Sequence, residues 1–379
     1  MKLQQFDYRL PPELIAQTPA EPRDASRLMV VHRQTGEISH HIFSDVLDFL
    51  DPGDILIANN SRVIPARLFG RKSTGGKVEI LLLKPIDALR WEALVGGKRL
   101  NPGTVVNIDP AFHTYETPSS TSAPQPPISN LQSPITLTIE ADLGEARRLI
   151  KFNRPIRPDL EVVGHVPLPP YIQTPLTDSE RYQTVFNRID GSAAAPTAGL
   201  HFTPDLLLAL RDKGVLLDYV TLHIGLDTFK PVTVEQIEGH AIHREVARLT
   251  ADTARRINQA KLAGGRLIAV GTTSVRTLET AALRSAGVSG SLQEASRLDA
   301  NLCPWQPVVA VEEATNLYIY PGYTFRAVDV MLTNFHLPKS TLLMLVSAFA
   351  GLDLIRQAYE TAIAERYRFY SFGDAMLIL

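Results

Sequence analysis

The sequence predicts an α/β protein: a layered α/β main domain with a mixed sheet, interrupted by an inserted small all-β barrel. Three observations carry that expectation. From residue 203 to the C-terminus, strand-like runs alternate with helix-length runs, the pattern of a sheet covered by helices. Between Val63 and about Val163 the apolar runs are short, rich in β-branched residues and never of helix length. The chain is 379 residues long, beyond the size at which one core normally keeps growing, so two domains are the default. The expected division is 1–62 plus 160–379 for the main domain and 63–159 for the insertion.

Within the insertion, VIPARL, KVEILLLK, RWEALV, TVVNI, ITLTIE and LIKF read as strands separated by Gly, Pro and polar turns. Ala111 to Pro134 holds five prolines and five serines with almost no charge, and reads as a flexible loop without a function of its own. In the main domain a helix is expected over Thr203–Lys213, with Thr203 as cap, Pro204 in the first turn and Gly214 as the stop. The strand LLDYVTLH follows, then a helix over about Thr250–Ala263 ended by Gly264 and Gly265, the strand RLIAV, and a helix from about Thr273. A helix over about Leu352–Arg366 and the final strand AMLIL complete the domain.

Hydrophobic residues make up 45% of the chain, enough for substantial cores. The N-terminus lacks a signal-type apolar region and the longest uncharged apolar run, Ser340–Leu352, is too short to cross a bilayer, so a cytoplasmic protein without membrane association is expected. The single cysteine, Cys303, permits neither an internal disulfide nor a thiolate metal site. A net charge of -2 conceals an uneven distribution. Ser61–Asp159 carries fourteen basic against nine acidic residues, and Ile55–Val78 and Ala146–Pro158 each carry five basic residues and no acid, as contact with a phosphate backbone requires.

Two runs lack the periodicity of helix or strand and are rich in groups that meet ligands. GSAAAPTAGLHFT (Gly191–Thr203) combines glycines, a proline and His201, and TNFHLPKSTLLMLVSAFAG (Thr333–Gly351) places Asn334, His336 and Lys339 in a short turn before an apolar helix. VGTTSVRTLE (Val270–Glu279) is a strand, a glycine turn and a helix start, which sets Thr272, Thr273 and Ser274 where free helix N–H groups and hydroxyls hold an anion; Arg276 adds a group able to pair with a carboxylate. A GxGxxG fingerprint is absent after every expected strand, which disfavours a dinucleotide-binding fold and an ordinary methyltransferase of that type. His240, His243 and Glu245 invite a metal reading, but without an HExxH pattern or cysteine ligands no metal is expected.

Together with LPPELIAQTP (Leu10–Pro19), NNSRVIPARL (Asn59–Leu68) and GDAMLI (Gly373–Ile378), these runs closely resemble the S-adenosylmethionine:tRNA ribosyltransferase-isomerases of queuosine biosynthesis, in family order along nearly the whole chain. The resemblance implies transfer and isomerisation of the ribosyl group of S-adenosylmethionine onto 7-aminomethyl-7-deazaguanine (preQ1) at the wobble position of a tRNA with a GUN anticodon. Epoxyqueuosine-tRNA is the product, adenine and methionine leave, S-adenosylmethionine is consumed rather than held as a cofactor, and the enzyme is expected to be a monomer.

Such a reaction needs a base beside the sulfonium and a donor for departing adenine. His201 or His223 is the expected proton-transfer residue, with Glu279 as the competing candidate. Asn334, His336 and Lys339 are expected to bind polar groups of the substrate, and Arg276 the methionine carboxylate, the alternative anion at Thr272–Ser274 being a tRNA phosphate. Tyr171 and Tyr182 follow Pro-rich or charged segments and are candidates to stack on an anticodon-loop base. Arg62, Arg67, Arg71, Lys72 and Lys77 are the expected contacts to the tRNA backbone. Three departures from the family pattern stand out: Asp227 where a glycine is expected, Asn60 in place of a frequent aspartate, and SAAAPT for SVAAPT. Two rival classes remain: a non-catalytic RNA-binding protein, and an RNA methyltransferase releasing S-adenosylhomocysteine.

Overall fold

The structure is a computed structural model and describes residues 1–109, 134–225, 232–295 and 303–379. The Pro/Ser-rich loop, apart from Pro134, and Asp227 lie outside the described residues. The chain forms two compact units, Met1–Arg62 with Pro169–Leu379, and Val63–Leu168.

The larger unit is built on a nine-stranded mixed sheet in the order Val311–Thr315, Glu245–Leu249, Leu216–Leu222, Ile55–Asn59, Leu267–Val270, Val330–Asn334, Ala375–Ile378, Arg27–Val31, Ile38–Ile42. Four central strands, from Leu216–Leu222 to Val330–Asn334, run parallel, while their outer neighbours reverse direction. Ile55–Asn59, Leu267–Val270 and Val330–Asn334 are buried at every residue, because helices cover both faces and no position looks onto water. Successive residues point to opposite faces, so Ile55 and Ile57 enter one core with helices Ala251–Leu262, Thr272–Ser285, Thr341–Ala350 and Leu352–Ala364. Leu56 and Ala58 enter the other, with helix Pro204–Asp212.

The local signals act as expected where they are strong. Thr203 accepts a hydrogen bond from the Leu206 N–H, Pro204 opens the helix Pro204–Asp212, and Gly214 follows with φ 94°. Thr250 caps Ala251–Leu262 in the same way. Among the described residues no single helix is long and apolar enough to cross a membrane; one bent pair, Thr341–Ala350 with Leu352–Ala364, passes by composition and turns through 113°.

The smaller unit is a closed antiparallel barrel in the order Arg147–Phe152, Arg90–Gly96, Lys77–Pro85, Arg67–Lys72, Val105–Ile108, Thr136–Gly144. Its strands alternate, with Val78, Ile80 and Leu82 inward beside Trp91, Ala93 and Val95. The first strand begins at Arg67 rather than Val63. The segment after the last strand also differs from expectation: Leu160 and Val163 pack into the barrel core, so the unit runs to Leu168 instead of stopping at residue 159.

Gly70 lets two barrel strands approach closely, since a Cβ there would lie 2.5 Å from the Asn107 carbonyl oxygen. Gly70→Val is expected to destabilise the barrel by about 1–3 kcal/mol. Trp91 is buried in the barrel core and the other tryptophan, Trp305, is exposed, so tryptophan fluorescence during urea unfolding follows Trp91 selectively. An unshifted midpoint would contradict the close approach.

Candidate active site

The parallel strands end at a common edge, and a cleft of the larger unit opens there, as expected for open α/β sheets. It is lined by Ala195–Ala198 of the Gly/Pro-rich loop, Ile224 beyond one strand, Gly271–Thr273 beyond another, Thr333–Leu337 at the end of a third and just past it, and Tyr171, Leu342, Tyr370 and Ser371. Space between its atoms amounts to about 570 Å³, counted out to open solvent. None of these lining residues is Lys, Arg, Asp or Glu.

Asn59 ties the edge together. Its carboxamide is buried; Nδ2 donates to the Leu222 carbonyl at 2.9 Å and to Thr273 Oγ1 at 3.2 Å, while Oδ1 accepts from the N–H groups of Ser61 and Leu222, both at 3.1 Å. One side chain thereby joins the ends of two strands to the first turn of helix Thr272–Ser285. Sequence reasoning gives Asn59 no role within NNSRV; the usable signal is a carboxamide directly after the apolar run ILIA. Its neighbour Asn60 accepts from Thr221 Oγ1 at 2.8 Å, a bond that an aspartate also makes.

Thr272 and Thr273 lie on the cleft at the start of their helix, where Gly271 with φ 84° turns the chain and the first N–H groups lack intrahelical acceptors. Ser274 is directed elsewhere: its hydroxyl donates to the Val270 carbonyl at 2.7 Å inside the core. His336 lies on the cleft wall with Nε2 2.8 Å from Thr333 Oγ1, its N–H donating to Tyr359 Oη and its carbonyl accepting from Tyr8 Oη. Burial holds its imidazole down to about 3. Tyr171 also lines the cleft, with Oη 2.8 Å from Ser371 Oγ and its ring 4.8 Å from that of Tyr370.

His201 stands behind this wall. Its ring stacks on Phe43, Nδ1 lies 2.7 Å from Ser26 Oγ, and Nε2 is 3.3 Å from Nδ2 of Asn334, the residue that reaches the cleft. Burial, reinforced by the charges of Arg368 and Arg23, brings it down to about 3. His223 follows strand Leu216–Leu222, half-buried, against the bare backbone of Gly191, where a Cβ would lie 2.9 Å from the imidazole. Its chain neighbour Ile224 lines the cleft.

Several expected site residues do other work. Glu279 is fully buried and accepts from the N–H groups of Arg326, Ala327 and Val328 and from Tyr323 Oη, so it anchors the 323–328 turn. Burial raises its carboxyl, with those donors opposing. Arg276 is enclosed in an ion pair with Glu245 through Nη1 and donates from Nε to the Leu317 carbonyl, while its buried Nη2 has no hydrogen-bond partner among the described residues. Lys339 pairs with Asp7 at 2.7 Å and bonds through its backbone to Phe6 and Val232, fastening the N-terminal segment. Tyr182 is fully buried, edge-on to Phe372, so its ring has no face for a base.

The basic residues are partly neutralised. In the larger unit Arg62 bonds Glu180 and Asn187. In the barrel Arg67 pairs with Glu79 at 3.1 Å, Arg71 with Asp109 at 3.7 Å, and Lys72 donates to the Lys98 carbonyl; Lys77 is exposed. Among the described residues no group of three or more His, Cys, Asp or Glu is placed to hold a metal ion. His240 packs edge-on to Tyr318.

A family model described as queuosine biosynthesis protein matches residues 3–378. The S-adenosylmethionine:tRNA ribosyltransferase-isomerase of Desulfitobacterium hafniense is 49% identical and that of Desulforamulus reducens 47%, each match covering 100% of both chains. Among solved structures, an S-adenosylmethionine tRNA ribosyltransferase from Thermotoga maritima is similar at 37% identity, with a TM-score of 0.52 over 99% of this chain and 100% of the other.

The enclosed histidines give stability a pH dependence. His201 and His336 are held near 3 when folded but titrate near 6.5 when exposed, so between these values the unfolded chain binds more protons. Their contribution is complete above about 6.5 and is lost progressively as pH falls towards 3. Urea midpoints measured from pH 7 to 4.5 are expected to fall less steeply in His201→Gln than in the unsubstituted protein. Equal slopes would remove His201 as a source.

Proposed function

The chain belongs to the queuosine biosynthesis protein family, and on that premise we propose that it is an S-adenosylmethionine:tRNA ribosyltransferase-isomerase. It moves the ribosyl group of S-adenosylmethionine onto 7-aminomethyl-7-deazaguanine in tRNA and releases adenine and methionine. The observation that carries this reading is that none of the described residues lining the cleft is charged, so a sulfonium cation enters it without meeting a lysine or arginine among them. The start of helix Thr272–Ser285, with the hydroxyls of Thr272 and Thr273, receives the methionine carboxylate.

His223 is the proton-transfer residue of this scheme. It stands next to cleft-lining Ile224, whereas His201 is shut behind Asn334 and Glu279 is consumed by backbone donors. Tyr171 offers an aromatic wall to a base, and His336 a polar group. The barrel contributes Arg71, Lys72 and Lys77 to the tRNA backbone. The enzyme acts as a cytoplasmic monomer on tRNA with a GUN anticodon.

Incubation with S-adenosylmethionine and tRNA bearing the aminomethyl base, followed by mass spectrometry, is expected to yield adenine, methionine and an epoxycyclopentane-bearing nucleoside. S-Adenosylhomocysteine would instead establish methyl transfer, and tRNA binding without turnover a binding protein. In single-turnover assays His223→Ala is expected to be slowed about 10²–10⁴-fold. An unchanged rate would remove His223 from the chemistry.

Charge reversal at Arg71, Lys72 and Lys77 together is expected to weaken tRNA binding and to flatten log K against log salt by about 0.7–0.9 for each phosphate that is no longer neutralised. Identical salt slopes for the triple variant and the unsubstituted protein would place the tRNA backbone elsewhere.

A further inference from the structure

Asn334 holds a group that the proposed reaction leaves unused. Its carboxamide is almost completely buried at the cleft wall, and both Nδ2 hydrogens have acceptors, His201 Nε2 at 3.3 Å and the Tyr370 carbonyl at 3.1 Å. Oδ1 makes no hydrogen bond among the described residues. A buried amide oxygen without a donor is unusual in a folded chain, and at a ligand cleft it asks what the ligand brings.

The amide is not free to turn over. Exchange of its O and N would set Oδ1 against the Tyr370 carbonyl, acceptor to acceptor. On the other side, the enclosed neutral imidazole of His201 carries one proton; with Nε2 accepting from Asn334, that proton sits on Nδ1 and is donated to Ser26 Oγ. Ser26 and His201 are themselves buried, so this orientation is relayed through a closed chain of hydrogen bonds. We propose that Asn334 Oδ1 is the acceptor that reads an N–H group of the substrate, with His201 and Ser26 as positioning residues that keep the amide turned that way.

The inference rests on the cleft being the substrate site of the proposed reaction. Two substrate groups have the required chemistry: the exocyclic amine of adenine in S-adenosylmethionine, and the aminomethyl group of the deazaguanine. Equilibrium binding to the full-length protein separates them. One arm compares S-adenosylmethionine with its 6-oxopurine analogue, and the other compares tRNA carrying the aminomethyl base with tRNA carrying the 7-methyl base.

In one arm the unsubstituted protein is expected to prefer the amine by at least about tenfold, because a site built for a hydrogen-bond donor strongly rejects the analogue lacking it. Asn334→Ala and His201→Leu are expected to shrink that preference to within about twofold. Asn334→Ser serves where the alanine variant does not fold. A merely structural role lowers affinity for both members of a pair equally and leaves the ratio intact; that result, or no preference in either arm of the unsubstituted protein, would overturn the proposal. Turnover does not enter: a protein that discriminates but forms no product keeps this assignment and loses the reaction.

Discussion

The four hydrogen bonds of the Asn59 carboxamide are the constraint on which the candidate site depends. Parallel strands deliver chain ends to one edge of the sheet, but the loops that leave them carry backbone groups that the ladder no longer satisfies. Asn59 supplies two donors and an acceptor that serves twice, all in a dry environment, and fixes Leu222 and Thr273 with respect to each other. His223 follows Leu222 directly and Thr273 lines the cleft, so the proposed base and the proposed carboxylate site share this one carboxamide as their reference. A hydrophobic residue of equal volume would fill the space yet leave the Leu222 groups without partners, a larger loss than the bonds themselves are worth.

Burial then sorts the histidines by role. His201 and His336 are enclosed, neutral and engaged at ring nitrogens, and serve as fixed hydrogen-bonding elements of the wall. The cations near His201, Arg23 and Arg368, are themselves occupied: Arg23 donates to the carbonyls of Glu180, Gln183 and Leu200, and Arg368 to that of Thr18. Their charge therefore acts on the imidazole as a standing field that opposes its protonation.

Local chemistry is legible in the sequence, long-range chemistry much less so. The helix after Thr203 is readable because cap, N1 proline and stop glycine are neighbours in the chain. The strand Ile55–Asn59, central to the sheet, escapes sequence reading, because a fully buried parallel strand is a short uniform apolar run without alternation. The composition of 191–203 and 333–351 singles out two segments, of which Ala195–Ala198 and Thr333–Leu337 line the candidate cleft. Which side chain in each segment faces the cleft depends on partners far away. Ser26 holds His201 across 175 residues, and Tyr8 holds His336 across 328. Arg276 and Glu279 have residue types suited to a site and lie on the marked helix, yet their partners, Glu245 and the 326–328 backbone, turn both into core.

The same desolvation that keeps the enclosed histidines neutral bears on the proposed chemistry. A cation in a site of low polarity without a counter-ion is disfavoured relative to its deprotonated form, whichever atom carries the charge. For an imidazolium this shows as a fall to about 3. For a sulfonium, loss of the adjacent proton converts a cation into a neutral ylide-like species, so in the proposed scheme desolvation of the bound sulfonium favours that loss. The two enclosed imidazoles are held far below the usual histidine range, which leaves half-buried His223, next to cleft-lining Ile224, as the base of the proposed scheme.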